Sequence, residues 1–244
     1  MPEGLLTRGT VVVVPGRGET RAAYRRLGKR LAADAYRVRV VDAAEADGDL
    51  LPAALDALRA RIAGAVPEDD PARPLVLIGS DTGAAALAAL FGGEESVPGP
   101  RPDALVLAGL PGNGAAATGT TWEEELDVRT TCPTHRGVLT DDGQVRRGAL
   151  DAPVPEALLD AAHAGTSDLP RLLLVGESDP LADHDALTGL AKTLPRARLA
   201  VVRGARHDVL NDQQHRSVAA EIVTFLEALR GGLTPIVTVR TSSW

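Results

Sequence analysis

The segment Gly79-Ser80-Asp81-Thr82-Gly83 places a carboxylate where an apolar run, Leu75 to Gly79, passes into an alanine-rich helical stretch through a turn with small residues on both sides. Such a strand-to-helix turn is a nucleophile elbow, which presents its apex side chain for attack. The strained apex needs glycine-sized neighbours two positions before and two after, so that strand and helix can approach. Centring on Asp81 gives Gly79 and Gly83, whereas centring on Ser80 gives the β-branched Ile78 and Thr82. Sterics therefore nominate Asp81. A carboxylate is ionised near neutral pH, so it can displace a leaving group from an sp³ carbon without a base and form a covalent ester. The competing description of these residues is a Gly-Ser turn followed by a helix-capping aspartate.

Two further groups arrive in order along the chain. The run Arg171 to Val175 is followed by Gly176-Glu177-Ser178-Asp179, and Arg198 to Val202 by Gly204-Ala205-Arg206-His207. If both runs are parallel strands, Asp179 and His207 lie at C-terminal ends on the same side of a sheet as Asp81. The order nucleophile, acid, histidine is the one this type of site uses. His207 would activate water against the Asp81 ester, and Asp179 would hold the imidazole in the right tautomer. Asp208 reads as a helix-start or surface residue, and His163, His184 and His215 as solvated or capping groups at helical stretches.

The positioning elements follow from hydrophobic periodicity. Strands are expected at Thr10 to Pro15, Tyr36 to Asp42, Leu75 to Gly79, Ala104 to Gly109, Arg171 to Val175 and Arg198 to Val202. Helices are expected from Thr20, at Leu50 to Val66, Thr82 to Phe91, Pro155 to Ala164, Asp185 to Leu194 and Gln213 to Arg230. This alternation predicts an α/β domain: one mostly parallel sheet of about six strands, with helices on both faces and ligands beyond the strand C-termini. The stretch Leu110 to Pro153 has little periodicity and reads as a short irregular lid. The tail Pro235 to Arg240 reads as an extra strand that extends a sheet edge or pairs with a second copy in a homodimer.

On these residues the chain resembles the α/β-hydrolase superfamily from Thr10 to Arg230. The elbow looks like the Gly-x-Asp-x-Gly variant of haloalkane dehalogenases and epoxide hydrolases. Pro15-Gly16-Arg17 occupies the place of the superfamily's His-Gly-x loop, with Pro15 in place of histidine. The resemblance implies that the backbone N–H groups of Arg17 and Thr82 form an oxyanion hole, and that the antiparallel strands that usually lead the fold are missing or reduced. It also departs from both subfamilies. Epoxide hydrolases protonate the ring with lid tyrosines, but Tyr24 and Tyr36 precede the lid, leaving Cys132 or His135 as the alternative acids. Haloalkane dehalogenases place tryptophan after the nucleophile, where this chain has Thr82 and could offer only Trp122 from the lid. Trp122, Cys132, His135 and Arg136 are thus the expected substrate-binding residues. Arg17 is positioned to attract an anionic group.

Composition narrows the alternatives. The 244 residues fit one domain with its own core. A net charge of −7, with arginines interspersed among acids, argues against nucleic acid. No apolar run approaches the roughly 20 residues of a membrane helix, and the opening residues lack an export signal, so a cytoplasmic protein acting on a small molecule is expected. The single Cys132 allows no internal disulfide. Gly16-Arg17-Gly18-Glu19-Thr20-Arg21 lacks the third glycine of a dinucleotide fingerprint, and Glu123-Glu124-Glu125 reads as a solvated face. No cofactor or metal is expected. Two other reactions remain open, with Asp81 as a base or anchor in an esterase, lactonase, lyase or isomerase, or with the site as a non-catalytic binder.

Overall fold

The computed structural model describes residues 6–43, 51–66, 71–93, 99–113, 119 and 121–243. Four consecutive valines, Val11 to Val14, are wholly buried, as a central parallel strand requires. They belong to β1 (Gly9–Val14), which lies between β2 (Tyr36–Val40) and β3 (Leu75–Ser80); β4 (Ala104–Ala108), β5 (Arg171–Gly176) and β6 (Ala197–Val202) complete the sheet. Its order is β2-β1-β3-β4-β5-β6 with every pairing parallel. Residues two apart on a strand share a face. Val12 and Val14 accordingly join one core layer and Val11 and Val13 the other. The outer strands β2 and β6 are partly exposed along their length, as edges are.

One face is covered by α2 (Leu51–Ala65), α3 (Thr82–Phe91), α6 (Glu156–His163) and α7 (His184–Thr193). The other is covered by α1 (Arg25–Ala33) and α8 (His215–Arg230). The helix expected from Thr20 begins as a 3₁₀ turn, Arg21–Tyr24, capped by the Thr20 hydroxyl, before α1 takes over. The expected start of α2 at Leu50 lies outside the described residues.

The Leu110 to Pro153 region is more ordered than its composition suggests. It contains α4 (Trp122–Arg129), α5 (Pro133–Asp141) and a 3₁₀ turn, Ala149–Asp151; residues 114–118 and 120 lie outside the described set. Helices this short complete barely two turns, so periodicity is a weak guide. A capping box of Thr121 and Glu124 and a proline at the first turn of α5 are the local signals that start them. Leu126 and Leu139 enter the core. The tail differs from expectation in the other direction: 235–240 forms no strand, and Ile236, Val237 and Val239 are exposed. Alternation alone does not make a strand; a ladder partner is also needed, and the tail pairs with no strand among the described residues. Among the described residues no helix is long and apolar enough to cross a membrane.

The first turn of α3 lies directly on the end of β1. A Cβ at Gly83 would sit 2.6 Å from the carbonyl oxygens of both Val14 and Pro15. Backbone cannot yield as a side-chain tip can, so Gly83→Ala is expected to destabilise the fold by about 2 kcal/mol or more. A lowered urea midpoint with an unchanged slope would be the confirming measurement; an unchanged midpoint would refute the tight approach.

Candidate active site

Asp81 follows β3 with φ 50° and ψ −122°, a strained conformation for a residue with a side chain. The turn is held by its neighbours. The Asp81 N–H donates to Ala108 O at 2.9 Å, and the Asp81 carbonyl accepts from Ala84 N at 2.9 Å to start α3. A Cβ on Gly79 would meet Ala84 N at 2.6 Å. Ser80 is the last residue of β3 and turns the other way, with its hydroxyl beside Tyr24. It takes no part in the arrangement around His207.

The other two groups come from the ends of β5 and β6. The backbone of Leu181 donates to Asp179 Oδ1 at 2.9 Å, which fixes that carboxylate. His207 Nδ1 lies 3.0 Å from each Asp179 oxygen, and His207 Nε2 lies 3.3 Å from Asp81 Oδ1. The Nε2 contact is close but poorly aligned as a hydrogen bond. Gly176 lets the β6 loop close over β5, because a Cβ there would collide with the carbonyls of Ala205 and Arg206.

Arg17 adds what spacing did not reveal. Its backbone N–H and Nε both donate to Asp81 Oδ2 at 2.8 Å, and Nη2 donates to Oδ1 at 2.9 Å. Its Nη1 donates to Leu150 O at 3.0 Å and Ala152 O at 2.6 Å, so one side chain joins the elbow to the lid. The backbone N–H of Thr82, at the first position of α3, has no intrahelical acceptor by the geometry of a helix start.

Burial alone would push the Asp81 carboxyl up. The charge of Arg17, helped by the close His207 imidazole and the hydrogen bonds of Arg17, overrides it and holds the group well below the usual carboxylate range. Burial would likewise lower His207, but the charge and hydrogen bond of Asp179, followed by those of Asp81, raise it to about 10. His207 is therefore an imidazolium at rest, between Asp81 and Asp179.

Beside it lies a second buried cluster. Arg129 bonds Glu125 four residues earlier at 2.8 Å, donates to Arg17 O at 2.7 Å and lies 3.6 Å from Asp208. His135 Nε2 is 2.8 Å from Asp208 Oδ2 and 3.9 Å from Glu19 Oε1, while Tyr24 donates to Glu19 Oε2. Asp208 is thus buried, not a surface residue, because Arg129 and His135 compensate it; these hold its carboxyl low against the effect of burial. Glu19 is pushed up, by burial first and then by the charge of Asp208. Only Glu123 and Glu124 of the acidic run are solvated; Glu125 is buried against Arg129. The i,i+4 spacing of Glu125 and Arg129 was the available signal. Glu19, His135 and Asp208 bring ligand-type atoms within 4.8 Å of one another. The Arg129 guanidinium already supplies the positive charge that a cation would bring.

The four lid residues expected to bind substrate take other partners. Trp122 lies under the Arg147 guanidinium, 5.1 Å from its ring centre, and donates to Thr140. Cys132 accepts from Arg26 at 3.4 Å, and Arg136 pairs with Asp127 and Glu123 on the surface. His135 belongs to the buried cluster. None of the four bonds Asp81, His207 or Asp179. His163 reaches Pro111 O, His184 opens α7, and His215 bonds the backbone at the start of α8.

The sequence matches no protein-family model and no curated protein. Solved structures do match. The monoacylglycerol lipase of Paleococcus ferrophilus is 16% identical with a TM-score of 0.66, covering 93% of this chain and 96% of that one. A soluble variant of the monoglyceride lipase of Saccharomyces cerevisiae is 14% identical with a TM-score of 0.63, covering 94% and 89%. A thioesterase domain from the curacin biosynthetic pathway is 18% identical with a TM-score of 0.60, covering 91% and 93%. With the six-stranded parallel sheet and its two helical layers, these likenesses establish that the chain has the α/β-hydrolase fold.

Proposed function

We propose that the chain is a hydrolase of a small organic molecule in which Asp81 is the nucleophile and a covalent Asp81 ester is the intermediate. The observation that carries this reading is the strained Asp81 apex with His207 Nε2 3.3 Å from its Oδ1 and Asp179 behind the imidazole. A carboxylate here attacks an sp³ carbon through Oδ1, the carbon–leaving-group bond breaks, and the leaving group departs with its electron pair. Esterification removes the Asp81 charge, one of the causes that keep His207 protonated. The imidazolium gives up its proton to solvent, and the neutral His207 then takes a proton from water as the oxygen attacks Asp81 Cγ. The oxyanion forms on Oδ2, within reach of the Arg17 N–H that already donates to it. The tetrahedral species collapses as the Cγ–Oδ1 bond breaks, the departing oxygen takes the proton of the added hydroxyl, and the alcohol leaves with the original Oδ1 while Asp81 is again a carboxylate and His207 again an imidazolium. Only protein groups and water take part.

Halide-type leaving groups suit the site better than epoxides, which need an acid. Tyr24 is committed to Glu19, and Tyr36 lies next to Glu227 at the far end of β2. A second reading, with Asp81 as base or anchor for esterase-like or lyase-like chemistry, is favoured by the Arg17 fork, which occupies both carboxylate oxygens.

Turnover of a panel of alkyl halides, epoxides, lactones and activated esters in ¹⁸O water separates the two. The ester route is expected to give a first-turnover product without label, and an Asp81 peptide heavier by one ¹⁸O. Label in the first product with an unlabelled Asp81 would establish the base or anchor role instead.

A further inference from the structure

The resting Asp81 carboxylate is capped. A carboxylate offers about four lone-pair sites; three accept from Arg17 N, Nε and Nη2, and His207 Nε2 stands 3.3 Å from Oδ1 without hydrogen-bond alignment. With Nη2 and the imidazole both against Oδ1, a substrate carbon reaches that oxygen only if one of them moves. His207 is held from behind by both oxygens of Asp179. The Arg17 backbone is held by the buried Arg129, which donates to its carbonyl. What remains free to move is the Arg17 side chain. Its other partners are backbone carbonyls of Leu150 and Ala152, at the solvent margin, where water can replace it.

The same side chain is the group a ligand meets first. It is 12% exposed, against 3% for Asp81, 1% for His207 and 0% for Asp179. A guanidinium fork will exchange one carboxylate for another, because it binds both in the same planar, two-bond geometry. A neutral substrate offers no such exchange and leaves Asp81 capped.

Resting on the reading of Asp81 as nucleophile, we infer that Arg17 is a specificity gate: a carboxylate on the substrate takes the guanidinium from Asp81, which both anchors the substrate and frees Oδ1 for attack. The substrate class is then a short carboxylic acid with a leaving group on a carbon next to the carboxylate. In the productive step the Asp81 oxygen bonds to that carbon, the halide leaves, and the substrate carboxylate remains on Arg17. Water then releases the hydroxy acid.

The test uses the full chain carrying His207→Gln, so that the ester accumulates, with 2-chloropropionate and 2-chloropropionamide as matched anionic and neutral probes. Adducts are quantified by intact mass and mapped to Asp81. The acid is expected to form the Asp81 ester roughly tenfold or more faster than the amide, equivalent to about 1.4 kcal/mol. Adding Arg17→Gln is expected to erase that preference, and Arg17→Lys to keep part of it. Equal or faster esterification by the amide would overturn the gate while leaving Asp81 as nucleophile intact. So would a preference that survives Arg17→Gln. No Asp81 adduct from either probe or from neutral alkyl halides and epoxides would remove the nucleophile reading, and the gate with it. The acid-against-amide comparison needs no Arg17 variant, so it stands even if those variants fold poorly.

Discussion

Asp81→Asn is expected to stop turnover, with a loss on the order of 10⁴-fold or more, because an amide cannot supply the oxygen that forms the ester. The local backbone should be kept. Asparagine is nearly the same size, and its backbone would still bond Ala108 and start α3 as Asp81 does. A second consequence separates a lost nucleophile from a damaged fold. Asp81 is one of the groups that hold His207 at about 10, so its neutralisation should move the imidazole to a lower value, with Asp179 still supporting the cation. NMR titration of His207 in the variant would read this directly. An unchanged titration would mean that the two groups are not coupled as their 3.3 Å separation implies. Retained turnover would end the nucleophile assignment.

His207→Gln should separate the two halves of the reaction. Esterification is expected to continue and accumulate one adduct per chain, while steady-state turnover falls by about 10³-fold or more. On the proposed ester route the second step in the wild-type chain needs neutral His207. Its rate should therefore rise with pH, with a midpoint below about 10, since the ester no longer carries the Asp81 charge. Stability follows the opposite course. The folded imidazole has a raised pKa, so its contribution is complete below the unfolded value near 6.5 and is lost as pH rises through about 10. Urea melts of wild type and His207→Gln should differ most at or below pH 6 and converge toward pH 10. A gap that widens with pH would mean that His207 is neutral at rest.

The parts of this architecture visible in sequence are those governed by short-range rules. Buried parallel strands read as continuous apolar runs, as at Val11 to Val14, and the elbow reads as Gly79 and Gly83 because their missing Cβ atoms let the first turn of α3 pack onto β3 and onto the end of β1. The order Asp81, Asp179, His207 followed from the strand ends being on one side, and the structure brings the three side chains together. What escaped depends on contacts distant in sequence. The Arg17 side chain meets Asp81 across 64 positions and Asp208 meets His135 across 73, separations at which no local pattern operates. Glu125 looked like its solvated neighbours until α4 turned it inward toward Arg129. The tail misled for a related reason, since its alternating pattern has no ladder to join.

The way α4 and α5 are fastened makes this lid a poor exchangeable cassette. His207 N–H bonds Val128 O at 3.2 Å and Asp208 N–H bonds Arg129 O at 2.8 Å, so the loop bearing the imidazole is stitched to the end of α4. A graft that replaced 110–153 with the corresponding insertion of another protein would remove Arg129 and His135 and strand Asp208 as an uncompensated charge in the interior. It would also withdraw the acceptors that set the height of His207 above the sheet. If Arg17 gates the site as proposed, selectivity is more safely retuned by changing single side chains around it than by transplanting the insertion whole.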